Sequence, residues 1–85
     1  MSKTSFTEQY KNVYFIGIGG IGMSALARYF NYHEFKVGGY DKTMSPLTEK
    51  LSQEGCEIHY DDLGSKIPKT FQNKEKTLKI FERVS

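Results

Sequence analysis

The chain has 85 residues, 12 Lys or Arg against 10 Asp or Glu, and a formal charge of +2, which allows one small domain and gives no general pull toward nucleic acid or an anionic membrane. Its single cysteine, Cys56, excludes an internal disulfide and fits a reducing compartment. Residues 1–11 form a polar leader without the apolar core of a signal peptide, and no run approaches the roughly 18–20 apolar residues of a membrane helix, so a cytoplasmic protein is expected.

Asn12 to Ile16 (NVYFI) is short, aromatic and β-branched, as a strand covered on both faces should be. Beyond a glycine-rich turn, a helix is predicted from Ile21 to about His33, with Gly22, Ala25, Leu26, Tyr29, Phe30 and His33 on one face at the i, i+3, i+4, i+7 spacing. Phe35 to Tyr40 (FKVGGY) restarts an extended segment, in which Gly38 and Gly39 signal a close approach of backbone or ligand. Ser45-Pro46 then supplies a capping hydroxyl and a proline at the first helical position, Leu47 and Leu51 are predicted to face inward, and Gly55 suits the left-handed residue that ends the helix. Glu57 to Tyr60 (EIHY) reads as a third strand, 61–73 as loop with one short turn, and Thr77 to Phe81 (TLKIF) as a fourth strand. Alternating strands and helices in this order predict an α/β fold, a small Rossmann-like three-layer domain with a parallel sheet of about four strands over residues 12–81.

Between the first strand and the first helix stand Gly17, Gly19, Gly20 and Gly22. In a G-x-G-x-x-G pattern, Gly17 permits the tight turn, Gly19 lets a diphosphate approach the main chain, and Gly22 lets the helix pack on the strand. Phosphate sits where unpaired N–H groups and the positive end of the helix dipole converge. Asp41 lies 19 positions past the last glycine and closes the second strand, where a carboxylate accepts from ribose hydroxyls or a base N–H. Ser24 is either a donor to phosphate or a small packing residue. His33 and His59 have no carboxylate or serine arrangement around them, and the sequence displays no nucleophile, base or metal site.

The segments GIGGIGMSALARYF (Gly17 to Phe30), GYDKTMSPLTEKL (Gly39 to Leu51) and EGCEIHY (Glu54 to Tyr60) closely resemble the N-terminal domain of the Mur ligases, in particular the UDP-N-acetylmuramate:L-alanine ligases of peptidoglycan synthesis. That resemblance implies a site for UDP-N-acetylmuramate or UDP, with the diphosphate on Gly17, Gly19, Gly20, Gly22, Met23 and Ser24. It further implies that Asp41, with Ser45 or Thr48, addresses the uridine. Members of the family continue into a domain with a G-T-x-G-K-[ST] loop for ATP and magnesium and a third for the amino acid. The present 85 residues contain no such loop, so no cofactor is expected here and the chain alone is expected to be inactive as a ligase.

Two other readings use the same residues: an NAD(P)- or flavin-binding domain of an oxidoreductase, served equally well by the glycine loop and Asp41, and a non-catalytic regulatory module. The Met-Ser-Ala-Leu-Ala run argues against the oxidoreductase.

The C-terminal end departs from the family. Residues 66–85 carry six basic against two acidic groups, which reads as a solvated tail, and 82–85 (ERVS) reads as the mark of truncation. If TLKIF docks, Leu78 and Ile80 share one face, and Lys79 and Phe81 the other. A lysine in a central strand conflicts with burial on both faces. Residues 62–76 are therefore expected to be poorly ordered, and the exposed sheet edge to leave the domain marginally stable or to draw in a second copy as a homodimer.

Overall fold

The structure is a computed structural model that describes residues 9–61 and 67–81. Its elements are β1 (Asn12–Ile16), α1 (Ile21–Tyr32), β2 (Lys36–Tyr40), α2 (Pro46–Gln53), β3 (Glu57–His59), a 3-10 turn (Lys69–Phe71) and β4 (Thr77–Phe81). The four strands form one parallel sheet in the order β3-β2-β1-β4, with Ile16 opposite both Tyr40 and Phe81. The chain steps from β1 to β2 to β3 in one direction, then crosses back to lay β4 on the free side of β1. This is the small Rossmann-like α/β domain expected, with the reversal of strand order at β1.

Right-handed crossovers in one direction put α1 and α2 on the same face of the sheet. Val13 and Phe15 of β1, Val37 of β2, Met23, Ala27 and Phe30 of α1, and Leu51 of α2 meet there with Ile18 and Cys56, and Phe35, Ile58 and Ile80 pack against the cluster. The opposite face is covered, among the described residues, by the 3-10 turn. Its Phe71 ring is buried beside Tyr14, with ring centroids 5.6 Å apart. An ideal Cβ on Gly38 falls 2.6 Å from that ring, and one on Gly39 falls 2.6 Å from the Phe15 carbonyl and 2.9 Å from Ile18. The glycine pair of β2 thus admits the chain's own side chains and backbone, and no ligand is needed to explain it.

Both helix ends on α2 follow from local sequence. Ser45 accepts from the Thr48 amide while the Thr48 hydroxyl accepts from the Ser45 amide, a reciprocal capping box. Gly55, with φ 107°, takes the positive backbone angle past the helix end. Arg28 of α1 reaches Glu54 in a two-pronged ion pair, and Asn31 donates to the Glu54 carbonyl at 2.9 Å, which fastens α1 to the end of α2.

Three expectations are corrected. The buried side of α1 is Met23, Ser24, Ala27 and Phe30, so of the predicted face only Phe30 points inward, while Gly22, Ala25, Leu26, Tyr29 and His33 are exposed. Both phases of this helix are apolar, and the packing selects the one rotated by about one residue. In α2 the capping box turns Thr48 and Leu51 inward and leaves Leu47 exposed. The conflict expected at Lys79 does not arise: β4 pairs with β1 along all five residues, Ile80 packs with the core, and Lys79 lies on the other face of an edge strand, exposed to water. Of the stretch expected to be poorly ordered, 62–66 lie outside the described residues. Residues 67–76 carry the anchored Phe71, and Asn12 ties them to the sheet by donating to the Thr70 carbonyl at 2.9 Å.

Candidate functional site

The loop from Gly17 to Gly20 leaves the C-terminal end of β1, beside the point where the strand order reverses. In open parallel sheets, ligands bind in that crevice. Gly17 has φ 88°, the positive angle a side chain rarely adopts, and so makes the turn itself. Register does the rest: because Ile16 lies opposite Tyr40, the Tyr40 carbonyl accepts from both Gly17 (2.8 Å) and Ile18 (3.1 Å). The Gly19 amide donates to Asp41 Oδ2 at 2.7 Å, and the Gly20 amide donates to the Gly17 carbonyl at 3.1 Å. Every amide from Gly17 to Gly20 is therefore engaged inside the chain.

Free donors begin one residue later. Gly20 is the N-cap of α1, with no side-chain cap, and the first intrahelical bond is Ser24 N–H to the Gly20 carbonyl at 2.7 Å. The amides of Ile21, Gly22 and Met23 consequently have no acceptor among the described residues. The first turn of α1 carries no acidic residue to satisfy the helix dipole. Around Gly22 the space is open, with nothing within 4 Å of an ideal Cβ. An anion can therefore approach the backbone at Gly22. At Gly19 an ideal Cβ already meets Asp41 Oδ2 at 2.8 Å and Thr48 Cγ2 at 2.9 Å. Close packing inside the protein thus surrounds Gly19, whereas Gly22, expected to pack the helix on the strand, has open space beside it.

The remaining sequence candidates divide by burial. Met23 joins the core, and Ser24 is buried with its hydroxyl donating to the Ile21 carbonyl at 3.0 Å. Thr48 is fully buried; its hydroxyl donates to the Ser45 carbonyl and accepts from the Ser45 amide and the Tyr60 hydroxyl, which uses its one proton and both lone pairs. Ser45 and Asp41 are half-buried on the same edge. Tyr60 was not singled out from the sequence, although a polar aromatic residue just past a parallel strand's C-terminal end stands at the edge where ligands bind.

Away from this edge, the Tyr14 hydroxyl is hydrogen-bonded to His59 Nε2. Burial and the neighbouring Tyr40 push the Tyr14 hydroxyl up to about 12, and burial holds the His59 imidazole below its usual range, partly offset by Asp61. Both directions keep the pair neutral near pH 7, so a single proton is shared between the Tyr14 oxygen and Nε2, and the tautomer decides which of them donates. His59 Nδ1 is buried without a partner among the described residues.

A parallel sheet with a glycine loop at its strand-order reversal, feeding a helix whose first amides are open, is the architecture of the doubly wound α/β class. A family model described as the Mur ligase family, catalytic domain, matches residues 12–83, and the chain belongs to that family. It is 53 % identical over 70 residues to a UDP-N-acetylmuramate–L-alanine ligase of Cytophaga hutchinsonii, covering 82 % of this chain and 15 % of that protein. It is 59 % identical over 73 residues to the ligase of the same name from Flavobacterium johnsoniae (86 % and 16 %), and 54 % identical over 71 residues to that of Porphyromonas gingivalis (84 % and 16 %). The chain thus spans about one-sixth of the length of the relatives it matches. Among the described residues, no helix is long and apolar enough to cross a membrane.

Proposed function

We propose that this domain holds the UDP portion of UDP-N-acetylmuramate and belongs to an ATP-dependent ligase that joins L-alanine to that sugar nucleotide in cytoplasmic peptidoglycan synthesis. The observation that carries this reading is the set of open amides at Ile21, Gly22 and Met23, placed at the strand-order reversal of a chain 50–59 % identical to such ligases. The diphosphate rests on those three amides, where the helix dipole and the unpaired donors favour negative charge together. The nucleoside extends toward the Asp41–Ser45 turn and Tyr60. This fragment supplies binding and orientation. ATP and magnesium, the cofactors of the parent reaction, act on the muramoyl carboxylate through residues of the larger ligase, and these 85 residues alone neither hydrolyse ATP nor ligate alanine.

The oxidoreductase reading is not favoured. The relatives named above, 53–59 % identical over most of this chain, are ligases, and each Asp41 oxygen already accepts from a backbone amide. Calorimetric titration of the 85-residue chain with UDP-N-acetylmuramate, UDP and NADH tests the proposal. Binding in the order UDP-N-acetylmuramate, UDP, NADH is expected, and NADH binding tighter than either uridine nucleotide overturns it.

A further inference from the structure

The Asp41 carboxylate bridges two loops. Oδ2 accepts from the Gly19 amide at 2.7 Å, and Oδ1 accepts from the Thr43 amide at 3.1 Å. Carboxylate-to-amide bonds are charge-assisted and stronger than neutral ones, so this one side chain fixes the turn after β2 against the turn after β1. A side chain at the residue opposite would force the carboxylate aside, because an ideal Cβ on Gly19 falls 2.8 Å from Oδ2. Thr48 completes the floor: its methyl group lies 2.9 Å from the same point, and the Tyr60 hydroxyl holds it from behind at 2.9 Å.

We propose that Asp41 is a positioning residue, which latches the glycine loop from inside and thereby sets the open first turn of α1 toward the diphosphate, and that it does not read the nucleoside. The inference rests on the nucleotide-sugar reading above and deepens it. With Tyr40 and Gly17 taking the other loop amides, Asp41 closes the last of four bonds that make residues 17–20 a rigid strut. A strut held in place before the ligand arrives spares binding the cost of ordering it. The proposal also fixes a sign. Taking a negative charge away from beside an anion site favours anion binding by Coulomb's law alone, whereas losing the latch weakens it.

The test uses Asp41→Ala and Asp41→Asn in the 85-residue chain. Asparagine keeps the volume but offers one acceptor where the carboxylate offers two, so it stands in if the alanine variant fails to fold. Amide hydrogen exchange of the ligand-free protein reads the latch directly: exchange at Gly19 is expected to quicken by about tenfold or more, while Tyr14 and Phe15 in β1 keep their rates. Calorimetry with inorganic pyrophosphate and with UDP reads its consequence, and both are expected to weaken by the same factor of about ten. Unchanged exchange at Gly19 overturns the proposal. So does a loss confined to UDP, with pyrophosphate binding unchanged or tighter, since that is the pattern of a nucleoside reader. Wild-type protein that binds neither UDP-N-acetylmuramate nor pyrophosphate overturns the nucleotide-sugar reading and the binding role of Asp41 with it, while Gly19 exchange still tells whether the latch exists.

Discussion

Replacing Gly22 by alanine should make the domain more stable and a poorer binder at once. Gly22 is the second residue of α1, has no positive backbone angle, and has nothing within 4 Å of its Cβ position. Alanine therefore fits without strain and restricts the unfolded chain, for a gain of about 0.5–1 kcal/mol. In a domain this size that is a rise in Tm of roughly 2–8 °C. The same methyl group stands over the open amides of Ile21, Gly22 and Met23, and pushing one phosphate oxygen out of reach forfeits a charge-assisted hydrogen bond, about 1.5–3 kcal/mol or roughly 10- to 100-fold in Kd. Gly19→Ala is the contrast: its methyl group meets Asp41 and Thr48 at 2.8 and 2.9 Å, so stability should fall by about 1–3 kcal/mol. Thermal unfolding by circular dichroism and UDP calorimetry on both variants check the pair. A lower Tm for Gly22→Ala would mean that this glycine packs against the sheet after all, and unchanged UDP affinity would remove the ligand from the first turn of α1.

Phe71→Ala removes the buried ring that covers Gly38 and Tyr14; urea unfolding should show a loss of about 3–5 kcal/mol, a large share of a small domain's stability. Glu34 sits at φ 69°, where only glycine is at ease, so Glu34→Gly should raise stability by up to about 1 kcal/mol in the same assay. Because the fold lowers the His59 pKa by desolvation, the unfolded chain binds the proton more tightly; the His59 contribution is complete above the unfolded value near 6.5 and is lost as pH falls below it. The urea midpoint should drop between pH 7.5 and pH 5, and His59→Gln should flatten that slope. Burial, with Glu54 nearby, pushes the Cys56 thiol up to about 11, so labelling by a disulfide reagent at pH 8 should track denaturant unfolding and be negligible in the native protein.

Strand and helix positions were legible because each has a local cause. Asn12–Ile16 and Thr77–Phe81 are the β-branched and aromatic runs, and the cap at Ser45 and the glycine at 55 bracket α2. What a side chain faces has no such local cause. In α1 the sets Met23, Ala27, Phe30 and Ala25, Leu26, Tyr29 are nearly equal in apolar character, and the choice between them is made by packing against the sheet and α2. In α2 a threonine displaces a leucine from the interior because its hydroxyl has three partners waiting there. Phe71 was lost in a predicted loop. Its signal was nonetheless present as an aromatic residue without an assigned partner and Gly38 without a side chain.

The glycine pattern alone does not say which of its amides the chain itself engages, and the reason lies in the sheet. Which loop amides remain for a ligand is decided by β1–β2 register, since it is the pairing of Ile16 with Tyr40 that brings one carbonyl under both Gly17 and Ile18. A shift of the register would move that carbonyl away and return those amides to solvent. Asp41 follows directly after Tyr40, so the same register delivers its carboxylate to Gly19. Acidic residue and glycine loop are thus coupled by the strand between them, whatever ligand arrives. Since β4 lies on the other side of β1 from β2, the strand order reverses at β1, where the glycine loop begins. With the loop amides engaged inside the chain, the open space at Gly22, and not the crowded one at Gly19, marks where binding has to be tested.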